Sequence, residues 1–385
     1  MKAKKTVVCR IQDPNKGKLE EIEKEYQKVQ KYVKGKDVEL YSATKQQLDR
    51  RIDWEHIKDR EYPLFLRNDV FSVEKAKNTE EFDYWAKIPV ADVWGCVTVP
   101  IKPHTEITED MNIRDSKIIK KDYGFELHLS VSKEVEPVET YEGAIGIDLG
   151  LNKLAVSVSL PDRQTCCYGT HVGDIQAKYY FLRRNCKNGY IRRKWDKKDS
   201  NKVEDICHKI SRKIVNKAKE HNLLIVLGDL EEVQEEDKGR KMNRKLHNFP
   251  HWKLRNYIKY KAKWEGIEVV EVDEAYTSQR CSRCGEIGDR HKGRFKCENC
   301  GLEVDSDKNG AHNIAVRGIG KFLETSSDIG SHVAWLEAST EDETSATQVS
   351  EVAGNLSKRS EAPLENESFQ VWKRMFPNSS RALAS

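Results

Sequence analysis

The stretch that decides this chain runs from Cys281-Ser282-Arg283-Cys284-Gly285, through Cys297-Glu298-Asn299-Cys300-Gly301, to Asp305-Ser306-Asp307-Lys308-Asn309. Two Cys-x-x-Cys knuckles can close a tetrahedral thiolate cage around Zn²⁺, each sulfur about 2.3 Å from the metal. The twelve residues between them, Gly285 to Lys296, suit a short β-hairpin. Gly285 and Gly301 each follow a second cysteine, where a residue free to take φ > 0 turns backbone amides toward the sulfurs. All four ligand positions of the knuckles are cysteines, which leaves no catalytic position open, so Cys281, Cys284, Cys297 and Cys300 read as a structural zinc ribbon. A disulfide pair is the competing reading, and a reducing compartment disfavours it. A zinc ribbon alone does no chemistry. The aspartates that follow it are where a second metal can bind.

Working outward, His251 to Trp264 reads as a helix after Pro250, with Leu254, Tyr257, Ile258 and Ala262 on one face, and Ile267 to Val272 as the last strand before the ribbon. A helix begins near Asp307 and runs through Ala311, Ile314, Ala315 and Val316. Upstream, Ala144-Ile145-Gly146-Ile147 is a buried-strand run ending in Asp148-Leu149-Gly150. Leu154 to Leu160, Gln164 to Tyr168 and Leu223 to Leu227 are further strands, so this part is an α/β domain with a mixed sheet. Residues 1–142 mix strands (Lys5 to Ile11, Val93 to Val99, Phe125 to Val131) with helices (Lys18 to Lys34, Ser42 to Arg51, Val73 to Lys77).

Bulk properties narrow the function classes. The chain has 385 residues, 34% charged and 37% hydrophobic, with mean hydropathy −0.76. No apolar run approaches bilayer length, and the start MKAKKTVVCRIQD lacks the hydrophobic region of a secretion signal. Net charge is +4, but Leu323 to Ser385 holds ten acids against five bases. That segment reads as an acidic, disordered tail. Lys178 to Lys219 holds fifteen Lys/Arg against four Asp/Glu, with Tyr179, Tyr180, Phe181, Tyr190 and Trp195 interleaved. Such a run offers phosphate contacts and stacking faces for bases, or else a solvated helix face. Lys178, Arg183, Arg184, Arg192, Arg193 and Lys194, with Arg240, Lys241 and Arg244 further on, are the candidate nucleic-acid contacts.

Asp148 ends a buried strand beside Gly150, and Asp307 starts the final helix. Carboxylates from separate elements can hold a pair of Mg²⁺ ions (Mn²⁺ as an alternative) for phosphodiester cleavage. Singly, Asp148 reads equally as a turn residue, and Asp305 or Asp307 as a helix N-cap.

Together these residues resemble TnpB, the transposon-encoded family of RNA-guided nucleases related to the miniature type V CRISPR effectors. The likeness rests on Gly146-Ile147-Asp148-Leu149-Gly150, Ile225-Val226-Leu227-Gly228-Asp229-Leu230, Thr277 to Gly285, and Asp305-x-Asp307-x-Asn309-Gly310-Ala311-x-Asn313-Ile314-Ala315, in the family's order. It covers about residues 140 to 320. It implies an RNase H-like (RuvC-like) nuclease domain in two parts, 143–276 and 305–324, interrupted by the zinc ribbon at 277–304. An N-terminal wedge-type β-domain with a helical recognition insert would fill 1–142, and the acidic tail 325–385. A guide RNA made from the transposon end and a double-stranded DNA target are the implied partners, in a prokaryotic cytoplasm at the nucleoid. Specificity would come from base pairing.

Family members use three acids. Asp148 matches the first, and Asp307 the third, with Asp305 as fallback. The second departs: the family's Glu position is Gly228. Strand alternation points Asp229 to the other face, unless a bulge swings it round; Glu231 or Glu232 would have to reach back from the loop. Three functions follow: guided DNA cleavage, guided binding without cleavage, and a transposase joining DNA ends itself.

Overall fold

The computed structural model describes residues 1–12, 16–57, 60–77, 81–229 and 249–325, and the chain divides into two compact units, Met1–Val135 and Glu136 onward. The first unit is built on one antiparallel sheet. Its strands are β1 (Lys2–Ile11), β2 (Leu64–Leu66), β3 (Ser72–Lys75), β4 (Tyr84–Ile88), β5 (Val97–Pro103), β6 (Asn112–Ile113), β7 (Ser116–Lys121) and β8 (Gly124–Glu134). They run in the order β2-β7-β8-β1-β5-β4-β3, with β6 paired beside β8. Between β1 and β2 lie helices α1 (Lys16–Val33) and α2 (Ser42–Arg51). Helix α1 buries Ile22, Tyr26, Val29 and Val33, its helical-period stripe.

Two sequence expectations fail here. Val73 to Lys77 is not helical: Ser72–Lys75 pairs with β4, Val73 opposite Ala86. A segment too short to hold a helix alone takes the conformation its neighbour's ladder offers. The strand expected from Val93 begins at Val97, because residues 92–95 form a bend with Gly95 at φ +88°.

In the second unit, β9 (Gly143–Asp148), β10 (Ala155–Leu160), β11 (Thr165–Tyr168), β12 (Leu223–Asp229) and β13 (Val269–Asp273) form a five-stranded sheet ordered β11-β10-β9-β12-β13. The first three strands pair antiparallel; β9, β12 and β13 run parallel. Helices α3 (Val172–Asn185), α4 (Gly189–Glu220) and α5 (His251–Trp264) lie between these strands in sequence. Three short strands, β14 (Asp289–His291), β15 (Arg294–Lys296) and β16 (Glu303–Asp305), make a separate small sheet, and α6 (Ser306–Thr325) follows. Among the described residues no helix is long and apolar enough to cross a membrane.

Glycines let α6 lie flat on the sheet. A Cβ at Gly146 would sit 2.1 Å from the Ala311 carbonyl oxygen, and one at Gly318 2.3 Å from the Val226 methyls. The face of β9 and β12 carrying Gly146 and Val226 therefore faces α6. By strand alternation, Asp148 and Gly228 belong to this same face and Asp229 to the opposite one.

Candidate active site and metal centre

Asp148 closes β9 where the parallel strands end, the usual site of ligand crevices in α/β sheets. Its carboxylate reaches α6 because Gly310 has no side chain: a Cβ there would lie 2.8 Å from Asp148 Oδ2. Burial pushes Asp148 up to about 7, the negative charge of Asp307 adds to this, and Arg290 and Lys153 pull the other way.

The acid beside it comes from an unexpected place. The register pairs Leu227 with Ile147, Gly228 with Val272 and Asp229 with Asp273. Continuing the alternation of Val270 and Val272, Glu274 falls on the α6 face. Its side chain fills the space that a side chain at Gly228 would take: a Cβ built there would sit 1.8 Å from Glu274 Oε1 and 2.4 Å from its Cδ. The turn carrying Glu274 is pinned on both sides. Asp273 Oδ1 accepts from the Ala275 amide at 2.8 Å, and the Glu274 carbonyl accepts from the Thr277 hydroxyl at 2.8 Å. Arg317 of α6 donates to the Asp273 carbonyl at 2.7 Å. Burial raises Glu274 to about 8, with the Asp148 charge as the next cause. Its Oε1 is buried without a hydrogen-bond partner. A buried carboxylate oxygen with no donor is costly unless a cation meets it, so the donor set fits a divalent metal at Asp148 and Glu274.

Asp307 and Asp305 complete the acidic group. Asp305 is the N-cap of α6, its Oδ1 accepting from the amides of Asp307 (3.0 Å) and Lys308 (3.3 Å). Burial opposes its ionisation, but Lys153 and those amides outweigh burial and hold it below the usual carboxylate range. Lys153 Nζ lies 2.6 Å from Asp305 Oδ2 and 3.0 Å from Asp307 Oδ2. Arg290 stands 3.8 Å from Asp307 Oδ1 and donates to Ser278 Oγ at 2.9 Å.

The ribbon places its four Sγ atoms within 4.8 Å of one another, the only such group of three or more His, Cys, Asp or Glu among the described residues. Cys281 and Cys300 are 3.5 Å apart, as are Cys284 and Cys297. Ligands 2.3 Å from a tetrahedral centre would be about 3.8 Å apart, so the cage fits Zn²⁺. The knuckles repeat one backbone pattern: Gly285 (φ +81°) donates to the Cys281 carbonyl and Gly301 (φ +69°) to that of Cys297, both at 2.9 Å. Asn309 and Asn313 then lock the ribbon's root to α6. Asn309 Nδ2 reaches the Arg280 carbonyl at 2.6 Å and its Oδ1 accepts from the Ser282 amide at 2.9 Å; Asn313 Nδ2 donates to Thr277 and Arg280 carbonyls at 2.7 Å. Both asparagines of the motif thus serve as clamps.

Parts of the chain are similar to known proteins. A family model described as the Cas12f1-like TNB domain matches residues 251–314, from α5 through the ribbon into α6. The CRISPR-associated endodeoxyribonuclease Cas12f1 of Sulfoacidibacillus thermotolerans is 32% identical over 248 residues, 57% of this chain and 57% of that protein. A TnpB-like protein of Methanocaldococcus jannaschii is 33% identical over 141 residues, 36% of this chain and 48% of that one. Over these parts the chain is similar to TnpB-like and Cas12f proteins. It spans about half the length of these relatives. A cryo-EM structure of a Cas12f1–sgRNA–target DNA complex superposes with a TM-score of 0.40 at 14% identity, over 81% of this chain and 98% of that one.

The site departs from the sequence expectation at one acid. Asp229 does not join Asp148 and Asp307. It faces α5, where Arg255 holds it through Nη1 at 2.9 Å and also contacts Glu271, itself 2.5 Å from Lys259. No bulge turns it round, since the β12–β13 pairing runs unbroken to Asp229. Glu231, Glu232 and Leu230 lie outside the described residues. Sequence reasoning missed Glu274, although the alternation Val270-x-Val272-x-Glu274 was the available signal.

The basic segment is a helical hairpin broken at Asn188, whose Oδ1 caps α4 by accepting from the amides of Tyr190 (2.9 Å) and Ile191 (3.2 Å). Only the second half of α4, from Val203, is buried. The first fourteen residues, about 21 Å of helix, contain no buried position. Lys178, Phe181 and Arg184 of α3 and Tyr190, Arg192, Arg193 and Lys194 of α4 are exposed. Arg183 differs: it turns inward to Asp199 (2.9 Å) and Asp196 (3.3 Å) and pins the hairpin. Arg240, Lys241 and Arg244 lie outside the described residues, as does the segment from 326 to 385.

Proposed function

We propose that this protein is an RNA-guided, double-stranded DNA endonuclease encoded by an insertion sequence, with Asp148, Glu274 and Asp307 as its three acids. The observation that carries this reading is Glu274: a buried carboxylate without a donor, standing where Gly228 leaves a vacancy, next to Asp148. The sheet order β11-β10-β9-β12-β13, with the ribbon entering between β13 and α6, supports an RNase H-like, RuvC-like nuclease domain. A relative whose printed name is an endodeoxyribonuclease, matched over 57% of this chain, supports DNA cleavage as the chemistry.

Mg²⁺ or Mn²⁺ held by Asp148, Glu274 and Asp307 would activate water and stabilise the leaving oxygen of a phosphodiester. The chain's own residues do the rest. Burial raises Asp148 and Glu274 to about 7 and 8, and a cation meeting both carboxylates would favour their ionised forms. Arg290, reaching from β14 toward Asp307, adds positive charge where a phosphate would approach. The exposed bases of the α3–α4 hairpin track a nucleic-acid backbone, and Tyr190 and Phe181 offer stacking faces. The first unit serves as the wedge-type β-domain, with α1 and α2 as its recognition insert. The four-cysteine ribbon holds structural Zn²⁺, and the guide comes from the transposon end. The protein acts in a prokaryotic cytoplasm, on nucleoid DNA.

Gly228 alone motivates guided binding without cleavage, and Glu274 removes that motive. The test is cleavage of a plasmid carrying a guide-matched target beside a randomised flank, with protein co-expressed with its transposon-end RNA. Wild type is expected to cut in Mg²⁺, and Asp148→Ala and Glu274→Ala to bind without cutting. Cutting by either variant at the wild-type rate refutes the assignment.

A further inference from the structure

The acidic group is unevenly compensated. Toward Glu274, a buried carboxylate oxygen has no donor. Toward α6, the charge is already met: one ammonium, Lys153 Nζ, bonds Oδ2 of both Asp305 and Asp307, at 2.6 and 3.0 Å. Lys153 sits on the loop between β9 and β10, five residues after Asp148, and its side chain is 23% exposed. Asp305 has its other oxygen committed to two α6 amides. Asp307 has a long bond from the Ser306 hydroxyl at 3.4 Å and Arg290, 3.8 Å away, on its other oxygen. Lys153 therefore fills the place a cation would take between these two acids, with bonds of the charge-assisted kind.

We propose that Lys153 is an internal cation that competes with the second divalent ion, a positioning residue that makes the two metal affinities unequal. The inference rests on the metal-site reading above. An ion facing Asp148 and Glu274 would displace protons but no side chain bonded to either carboxylate. The ion engaging Asp307 must first displace Lys153. In a partly exposed setting the two ammonium bonds weaken the second ion's affinity by about tenfold, since charge-assisted bonds lose strength to solvent screening. The displacement also tethers a free ammonium beside the site once both ions are bound, so Lys153 adjusts metal demand without being a ligand itself.

The test is Mn²⁺ binding to the full-length, zinc-loaded protein, read by the EPR signal of free Mn²⁺. Wild type, Lys153→Met, Lys153→Gln and Lys153→Arg are compared, with Asp148→Asn as the control that reports the site. Wild type should show one tighter and one weaker equivalent. Lys153→Met and Lys153→Gln should tighten the weaker one about tenfold, and Lys153→Arg should restore the wild-type isotherm. The Mn²⁺ concentration for half-maximal cleavage should fall with it, more than kcat changes. Two equivalents with unchanged or weakened affinities in both neutral variants overturn the role of Lys153 and leave the metal site standing. No Mn²⁺ bound by any form that Asp148→Asn abolishes overturns the site and this inference together.

Discussion

Replacing Glu274 by Gln gives the sharpest separation of a catalytic carboxylate from a structural one, because stability and activity should move in opposite directions. In the metal-free protein Glu274 titrates at about 8, against 4.5 for an ordinary Glu. A carboxylate with a raised folded pKa keeps its proton in the native state at a pH where the unfolded chain has lost it. Stability is therefore fully present below about 4.5 and is lost as pH rises through about 8. Over this window the loss amounts to about 5 kcal/mol. Glu274→Gln removes it, and the new amide can donate to Asp148. At about 2–4 °C per kcal/mol for a unit of this size, Tm at pH 8 should rise by about 10–20 °C, and by almost nothing at pH 4. The measurement is differential scanning fluorimetry of zinc-loaded protein without Mg²⁺ and without chelator, which would strip the ribbon. In Mg²⁺ the same variant should lose stabilisation by the metal and cleave about 10³-fold more slowly, the several kcal/mol a lost metal-site charge is worth. A variant destabilised equally at pH 4 and pH 8 would mean that Glu274 merely packs, and wild-type cleavage would end its catalytic assignment.

The acid can be moved back. Gly228→Glu combined with Glu274→Ala should recover at least tenfold of the guided cleavage lost in Glu274→Ala alone; equal activities in the two would show that the position beside Asp148 does not matter. Cys281→Ser should release Zn²⁺ in a metallochromic dye assay and open residues 277–304 to protease, since structural zinc sites hold their fold through the metal. Arg192→Ala, Arg193→Ala and Lys194→Ala together should lower the slope of log affinity against log salt for DNA by about 2–3, one unit per lost phosphate contact, while Mn²⁺ binding stays unchanged.

How much of this was legible in the sequence depended on whether an element was local or paired at long range. The ribbon was readable because four cysteines and two glycines are local in sequence, and the hairpin turn at Lys292-Gly293, with φ of +45° and +83°, falls inside the twelve-residue spacing. The break at Asn188 was readable from a side chain that caps its own helix. Asp229 could be set on the far face from the period of a strand alone. The face of Glu274 was likewise available from the alternation of β13, but its place beside Gly228 was not, because that depends on the register of β12 against β13, two strands separated by the whole of α5. Arg183 looked like its basic neighbours until Asp199, sixteen residues away, was seen to hold it. Val73 was misjudged for the same reason, its conformation being set by Ala86.

The exchange of acids between β12 and β13 follows from the geometry of parallel strands. Neighbouring strands of such a sheet end at one edge, with side chains of matching register on one face about 4.8 Å apart. A carboxylate one residue beyond β13 can thus occupy the space of one near the end of β12, provided β12 gives up its side chain. Gly228 does so. Any Cβ at that position would displace Glu274 at 1.8 Å, and since the displaced atoms are the end of a flexible side chain, the fold would survive while the carboxylate would not stay. Gly228 and Glu274 are therefore one feature. The glycine that reads as a damaged active site in the linear sequence is the condition for the acid that replaces it.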